Sequence, residues 1–216
     1  MGVIWCAEIG SMHKGDKSLA FEMIRQAKDA GATIAKFQFG WPESDPLRHV
    51  DFWAQDMADW CDHFDIELMA SIWSLQGLET ARSVGMKRYK IAHQKAADEE
   101  LVVAVTGDMK ETFISSSGVR WQGHDRLLYC IPEYPVYPKS FWLPPHFGAD
   151  YMYWGYSDHS HGIEPCLLAV ARGARYIEKH FCLDKTDLIV RDTPFSATPA
   201  EFSEMVRIGS GIARLL

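Results

Sequence analysis

Three pairs of chemically capable side chains recur at a spacing of two: Lys36 with Gln38, Ser157 with His159, and Glu178 with His180. On an extended strand such residues share a face, because side chains alternate across it. Glu8, Ser71, Lys90 and the run from Ser115 to Ser117 place further polar groups at the ends of otherwise apolar segments. One such residue alone is most often a satisfied core group or half of an ion pair. So many segments ending in the same way point instead to a shared site. Two imidazoles, His159 and His180, with the carboxylate of Glu8 make a ligand set for a divalent metal ion, Mn²⁺ or Mg²⁺, leaving positions for water or a substrate oxygen. Lys36 and Lys90, with Ser71 and Ser116, form a cationic, hydroxyl-rich wall suited to a phosphate plus a carboxylate. The alternative for one of the lysines is a Schiff base with a carbonyl substrate.

These groups can act together only if their segments end neighbouring strands. Short runs rich in β-branched and aromatic residues alternate with longer amphipathic stretches, the pattern of repeated βα units around a parallel sheet. The runs predicted as strands are Val3–Ile9, Thr33–Gln38, Ile66–Ser71, Arg88–Ala92, Thr112–Ser116, Arg126–Cys130, Tyr151–Tyr156 and Arg175–Phe181. The fold class that follows is α/β, a minimal (β/α)8 TIM barrel forming a single domain over residues 1–216. Active sites of such barrels lie at the C-terminal ends of the strands. Runs seven and eight would be neighbours and run one would close beside run eight, which brings Glu8 towards His159 and His180. Helices are predicted over Lys17–Ala30, Phe52–Phe64, Leu75–Val84, Asp98–Val105, Ile163–Arg172 and Pro199–Leu215, with Asp16 as an N-cap and Gly31, Gly85 and Gly173 as stops. The crossovers after strands two and five are predicted to be shortened. A proline-held loop runs from Gly40 to Pro46, and a turn or 3₁₀ segment fills the few residues between Gly118 and Arg126.

Composition narrows the partners. With a net charge of −7 and its 22 Lys and Arg scattered, the chain lacks the electrostatic footprint of a nucleic-acid or acidic-membrane binder, so small-molecule substrates are expected. Five cysteines without a CxxC pair suit free thiols in a reducing compartment. With no signal-like start and no bilayer-length apolar span, the expectation is a cytoplasmic protein. A homo-oligomer remains open.

Ala7-Glu8-Ile9-Gly10 followed by His13 and Gly15-Asp16, then Lys36-Phe37-Gln38, Tyr89-Lys90-Ile91, Ser116-Ser117-Gly118, and Cys130 with Tyr134-Pro135 form an ordered series of motifs. It ends in Gly155-Tyr156-Ser157-Asp158-His159-Ser160 and Ile177-Glu178-Lys179-His180-Phe181. In these segments the chain resembles the sialic acid synthase family, which condenses phosphoenolpyruvate with an N-acetylmannosamine-type sugar using a divalent metal. The resemblance implies that His159 and His180 bind the metal and that Glu8 sits beside the reacting centre. It also implies that Lys36, Ser71, Lys90, Ser116 and Ser157 hold phosphoenolpyruvate, with Gln38, Tyr134 and Asp192 near the aldose acceptor. In the implied reaction the metal polarises the aldehyde, C3 of phosphoenolpyruvate attacks it, and water adds at C2 before phosphate leaves, with Glu8 positioning or deprotonating that water.

The chain also departs from the pattern. Met12 stands where the family has Asn, Ser71 where Thr is usual, His93 and Lys95 where Ser and Glu are usual, and Pro132 where a substrate hydrogen bond is common. The chain stops after the last barrel helix, without the family's antifreeze-like C-terminal domain, and its loop after run two is short. The expectation is a retained metal and phosphate half with a rebuilt sugar half. Two alternatives stand beside a synthase: a non-catalytic relative that binds a phospho-carboxylate or sugar phosphate, and a different metal-dependent barrel lyase or isomerase. Trp41, Trp73 and Trp121 follow strand ends, where their rings could stack on a sugar or cover an apolar contact.

Overall fold

All eight predicted runs form strands: β1 (Ile4–Glu8), β2 (Ile34–Phe39), β3 (Glu67–Ile72), β4 (Arg88–Ile91), β5 (Glu111–Ser116), β6 (Arg126–Cys130), β7 (Gly155–Asp158) and β8 (Tyr176–His180). In this computed structural model, which describes residues 2–118, 126–186 and 189–216, each strand pairs with the next in parallel, and β8 pairs with β1 to close the barrel.

Alternation along the strands sorts the chain into layers. Cys6, Ile34, Met69, Phe113, Leu128 and Tyr176 form one apolar cluster, while a much larger one packs the other face of the strands against the helices. Phe113 and Tyr176 lie 4.4 Å apart between ring centroids inside the barrel. Burying a side chain of this size is worth roughly 1.5–3 kcal/mol, and their bulk closes the barrel beneath the site. Two residues further along five of these strands come Glu8, Lys36, Ser71, Ser115 and Glu178, so the polar layer stands directly on the apolar one. Gly155 belongs to this packing: a Cβ there would collide with the backbone carbonyl of Tyr176 and lie 2.7 Å from its Cβ.

The helices follow their caps. Helix α1 (Lys17–Asp29) starts where Asp16 accepts from the backbone N–H of Ser18 and Leu19. A 3₁₀ turn (Asp51–Trp53) leads into α2 (Ala54–His63), Ser74 caps α3 (Leu75–Ser83), and Asp98 caps α4 (Glu99–Thr106). Helix α5 (Glu164–Ala171) follows β7, and α6 (Pro199–Ala213) opens with a capping box between Thr198 and Glu201. Among the described residues no helix is long and apolar enough to cross a membrane.

The crossover after β2 carries the expected helix behind its proline-rich loop, and among the described residues the connection without a helix runs from β6 to β7. One expectation is corrected. The run Tyr151–Tyr156 becomes strand only from Gly155 and then continues to Asp158. Its aromatic residues have another use: Tyr153 packs edge-on against Tyr129 at 5.2 Å, and Trp142 does so at 5.5 Å. These rings cover the outer face of β6, where a helix would otherwise lie. The segment expected to turn between β5 and β6, with Trp121, falls at residues 119–125 and lies outside the described residues.

Candidate active site

Strand register brings the polar side chains into one mouth. Glu8 is level with Lys36 on one side and His180 on the other, Ser71 is level with both Gln38 and Lys90, and Ser157 is level with Glu178. Every predicted site residue except Ser116 lines a single cavity of ≈ 300 Å³.

Its floor holds two ammonium groups. Lys36, 2% exposed, pairs with Glu8, donates to Ser71 Oγ at 2.9 Å, and lies 3.7 Å from the Glu178 carboxylate. Lys90 donates to Ser115 Oγ at 2.7 Å and lies 3.7 Å from the same carboxylate oxygen. Glu178 also accepts from Ser157 Oγ at 2.9 Å and Tyr176 OH at 3.1 Å. Burial pushes the Glu178 carboxyl up, but the two lysines outweigh it and hold the group below its usual range. For Lys36, burial is overcome by Glu178 and Glu8, so its ammonium is held above its ordinary value. Lys90 moves the other way, because burial and the neighbouring Lys36 charge outweigh Glu178. Glu8 is pushed up by burial, opposed by Lys36. With two lysines set against two carboxylates, the floor is charge-balanced.

The two predicted imidazoles meet beside it. The rings of His159 and His180 are 5.5 Å apart between centroids. Burial holds His159 down at about 4 and His180 at about 3, so both are neutral at physiological pH with lone pairs to offer. His159 Nδ1 lies 3.0 Å from the Ile131 carbonyl; donating there leaves Nε2 as the lone-pair nitrogen. His180 Nδ1 is 3.8 Å from Asp192, and the Tyr134 ring lies tilted over His159 at 4.1 Å between centroids. Two neutral imidazoles fit a borderline divalent metal that takes its remaining ligands from water or substrate. Glu8 does not join them. Its carboxylate is engaged by Lys36 and by Gln38, whose Nε2 donates at 3.4 Å. Among the described residues no group of three His, Cys, Asp or Glu is arranged to hold a metal.

Ser116 is the other correction. Phe113 faces the barrel interior, so Ser115, two residues on, turns inward, while Ser116 falls on the opposite face, where its hydroxyl accepts from the Gly118 N–H at 3.4 Å. The parity of Phe113 was visible in the sequence and would have chosen Ser115. Glu178 was visible as a strand-end partner of His180, yet nothing in the sequence showed that it would sit between the two lysines. Arg48 and Arg191, on loops, join the cavity wall without any periodic signal. Of the unusual residues, His93 lines the cavity with Nε2 2.9 Å from Ser117 Oγ. Lys95 pairs with Asp98 at 3.5 Å and Pro132 is exposed.

Residues 45–215 match the model of the NeuB family. The chain is 30% identical to a pseudaminic acid synthase of Campylobacter jejuni over 247 residues, covering 93% of this chain and 71% of that protein. It is 28% identical to the N,N'-diacetyllegionaminic acid synthase of Legionella pneumophila, covering 93% of this chain and 69% of the other. The crystal structure of the N-acetylneuraminic acid synthetase of Leptospira borgpetersenii, in complex with citrate, superposes with a TM-score of 0.85 at 28% identity, over 100% of this chain and 85% of that one. The chain belongs to the NeuB family and is an enzyme of the synthase type.

Proposed function

We propose that this enzyme condenses phosphoenolpyruvate with an aldose-type aldehyde to give a nonulosonic acid and inorganic phosphate. The observation that carries this reading is the placement of Lys36 and Lys90, with Ser71, Ser115 and Ser157, in the same cavity as two neutral imidazoles. Its relatives' names, acid synthases of the sialic, pseudaminic and legionaminic type, favour the same product class.

Lys36 and Lys90 bind the phospho-carboxylate, whose charge they can meet only by turning partly away from Glu8 and Glu178. The flanking serines donate to its oxygens and fix its orientation. A divalent cation held by His159 and His180 would supply Lewis-acid polarisation of a carbonyl oxygen. With the two substrates side by side, the C2–C3 π electrons form the new bond from C3 to the aldehyde carbon, and positive charge develops at C2. Water adds at C2 and gives up a proton, and the C2–O bond to phosphate then breaks, leaving the keto acid. Glu8 stands at the strand end beside Lys36 and Gln38, and as a carboxylate it can orient that water or take its proton. Tyr134, in ring contact with His159, and Asp192, beside His180, would flank the acceptor.

The test is single-turnover phosphate release with phosphoenolpyruvate, Mn²⁺ and a panel of aldoses, with product masses recorded. One aldose should release phosphate and yield a product of the combined mass less phosphate plus water. Phosphate release that is independent of every aldehyde would overturn the proposal.

A further inference from the structure

Asp158 and Lys179 alternate with the site residues along β7 and β8, so they face away from the cavity and into the layer between the barrel and α5. Each is 1% exposed. They are register partners, and the Lys179 ammonium lies 2.6 Å from Asp158 Oδ2. The carboxylate is held from several sides. Its Oδ1 accepts from Tyr156 OH at 2.8 Å, from the Ser160 N–H at 3.0 Å and from Ser160 Oγ at 2.5 Å, and its Oδ2 accepts from Cys166 Sγ on α5 at 3.3 Å. Lys179 also donates to the Ser160 carbonyl. Neither charge has a part in the condensation proposed above. Nor does stability account for the pair, because two buried charges are costly to desolvate and well-packed apolar residues of similar volume often serve a core as well or better.

The place of the pair in the strand ladder gives it a use. Pairing between β7 and β8 runs through Tyr156 with Ile177, Ser157 with Glu178 and Asp158 with Lys179, and ends there. The next residue on one strand is His159, and on the other His180. Where backbone pairing between the two strands stops, Lys179 continues it with its side chain, gripping the Asp158 carboxylate before His159 and the Ser160 carbonyl after it. His159 is thereby bracketed by two attachments to the residue that precedes His180. Other supports of the two histidines lead elsewhere. His159 Nδ1 lies 3.0 Å from the Ile131 carbonyl, the His159 carbonyl accepts from the Val136 N–H at 3.0 Å, and the His180 carbonyl accepts from the Ala197 N–H at 2.7 Å. None of these three ties one histidine to the other, whereas the bridge through Asp158, Lys179 and Ser160 does.

We propose that Asp158 and Lys179 are positioning residues: from behind the strands they set the spacing and ring orientation of His159 and His180, 5.5 Å apart between centroids, so that both imidazoles can meet one divalent cation. This rests on the reading of the two imidazoles as metal ligands and adds what holds them in place. Outer partners of metal-binding histidines commonly act in this way, by fixing the ring rather than by touching the ion.

The test variant is Asp158→Asn/Lys179→Met, which removes both charges together at similar volume and keeps an acceptor for Tyr156 and Ser160. Two readouts are taken. Calorimetric Mn²⁺ affinity should fall at least about tenfold, while thermal stabilisation by phosphoenolpyruvate without metal stays near wild type. NMR of the ring nitrogens, recorded without metal, should show His159 in wild type as one tautomer protonated at Nδ1, and in the variant as a mixture of both. If the charge-free variant does not fold, Tyr156→Phe/Ser160→Ala carries the same two readouts, since it strips both hydroxyl donors from Asp158 and leaves the ions paired; a severalfold loss of Mn²⁺ affinity with mixed tautomers is then expected. A wild type that binds no Mn²⁺ would sink the metal reading alone, because the ring signals still judge the clamp. Wild-type Mn²⁺ affinity and a single His159 tautomer in the folded variant would overturn the positioning role. So would loss of phosphoenolpyruvate binding in step with Mn²⁺ binding, because the pair would then support the barrel as a whole.

Discussion

Replacing Lys36 with Met tests the electrostatics of the floor without touching the imidazoles. Lys36 lies 3.7 Å from Glu178 and closer still to Glu8, and all three side chains are under a tenth exposed. At an effective dielectric constant of about 20, a pair at this distance attracts by roughly 4 kcal/mol. Against the loss of two such attractions stand relief from repulsion by Lys90 and from the cost of burying Lys36 itself. A net destabilisation of about 3–5 kcal/mol follows, in the range for breaking a buried ion pair from one side. For a chain of this size it should lower Tm by roughly 6–20 °C. The pH dependence has a definite sign. Without Lys36, the folded-state Glu8 carboxyl rises further above its ordinary value, so the folded protein binds more protons than the unfolded one as pH falls. The penalty is full at high pH and shrinks as pH approaches about 4.5. Thermal and urea unfolding between about pH 5 and pH 8 would measure it, with Glu8→Gln added to Lys36→Met as the rescue. Full wild-type stability of Lys36→Met at about pH 8, or failure of Glu8→Gln to restore most of the loss, would refute the charge-balanced floor.

Other consequences are read separately. Because burial depresses His159 and His180 to about 4 and about 3, these two rings bind protons in the unfolded chain before the folded one, so their contribution should lower stability as pH drops below about 6.5, offset in part by Glu8, whose raised carboxyl gains its proton in the folded chain first. His159→Gln should flatten that slope, and NMR should find both rings neutral at about pH 6. Calorimetric Mn²⁺ affinity should fall at least about tenfold in His159→Ala and His180→Ala; unchanged affinity in both would remove the metal from this site. Ser115→Ala should raise the KM for phosphoenolpyruvate severalfold by costing Lys90 its partner, while Ser116→Ala should leave it near wild type. Gly155→Ala should destabilise by about 1–3 kcal/mol through its clash with Tyr176, measured by urea unfolding.

Much of this was legible in the sequence because strands impose a period of two. Lys36 with Gln38 and Glu178 with His180 follow that period, and the barrel register then sets Glu8 level with both Lys36 and His180. Errors arose where local pattern met tertiary demand. The aromatic run before Gly155 has strand-like composition, but its rings are spent covering β6, which no helix shields among the described residues. Ser115 and Ser116 are chemically identical, and only the inward turn of Phe113 decides between them. Glu8 was expected beside the imidazoles because its strand adjoins β8; the same register also places it against Lys36, and the ammonium wins the carboxylate. Arg48 and Arg191 lie on loops whose course no periodicity encodes.

In the proposed condensation, phosphoenolpyruvate reacts as a carbon nucleophile and loses phosphate by cleavage of its C2–O bond. Phosphoenolpyruvate carrying heavy oxygen at the bridging position, turned over with the best aldose acceptor, tests this directly by mass spectrometry of the released phosphate. The label should leave with phosphate while a new carbon–carbon bond appears in the acid product. Unlabelled phosphate, with the label retained in a carbonyl or hydroxyl of the product, would show cleavage at phosphorus and contradict the condensation.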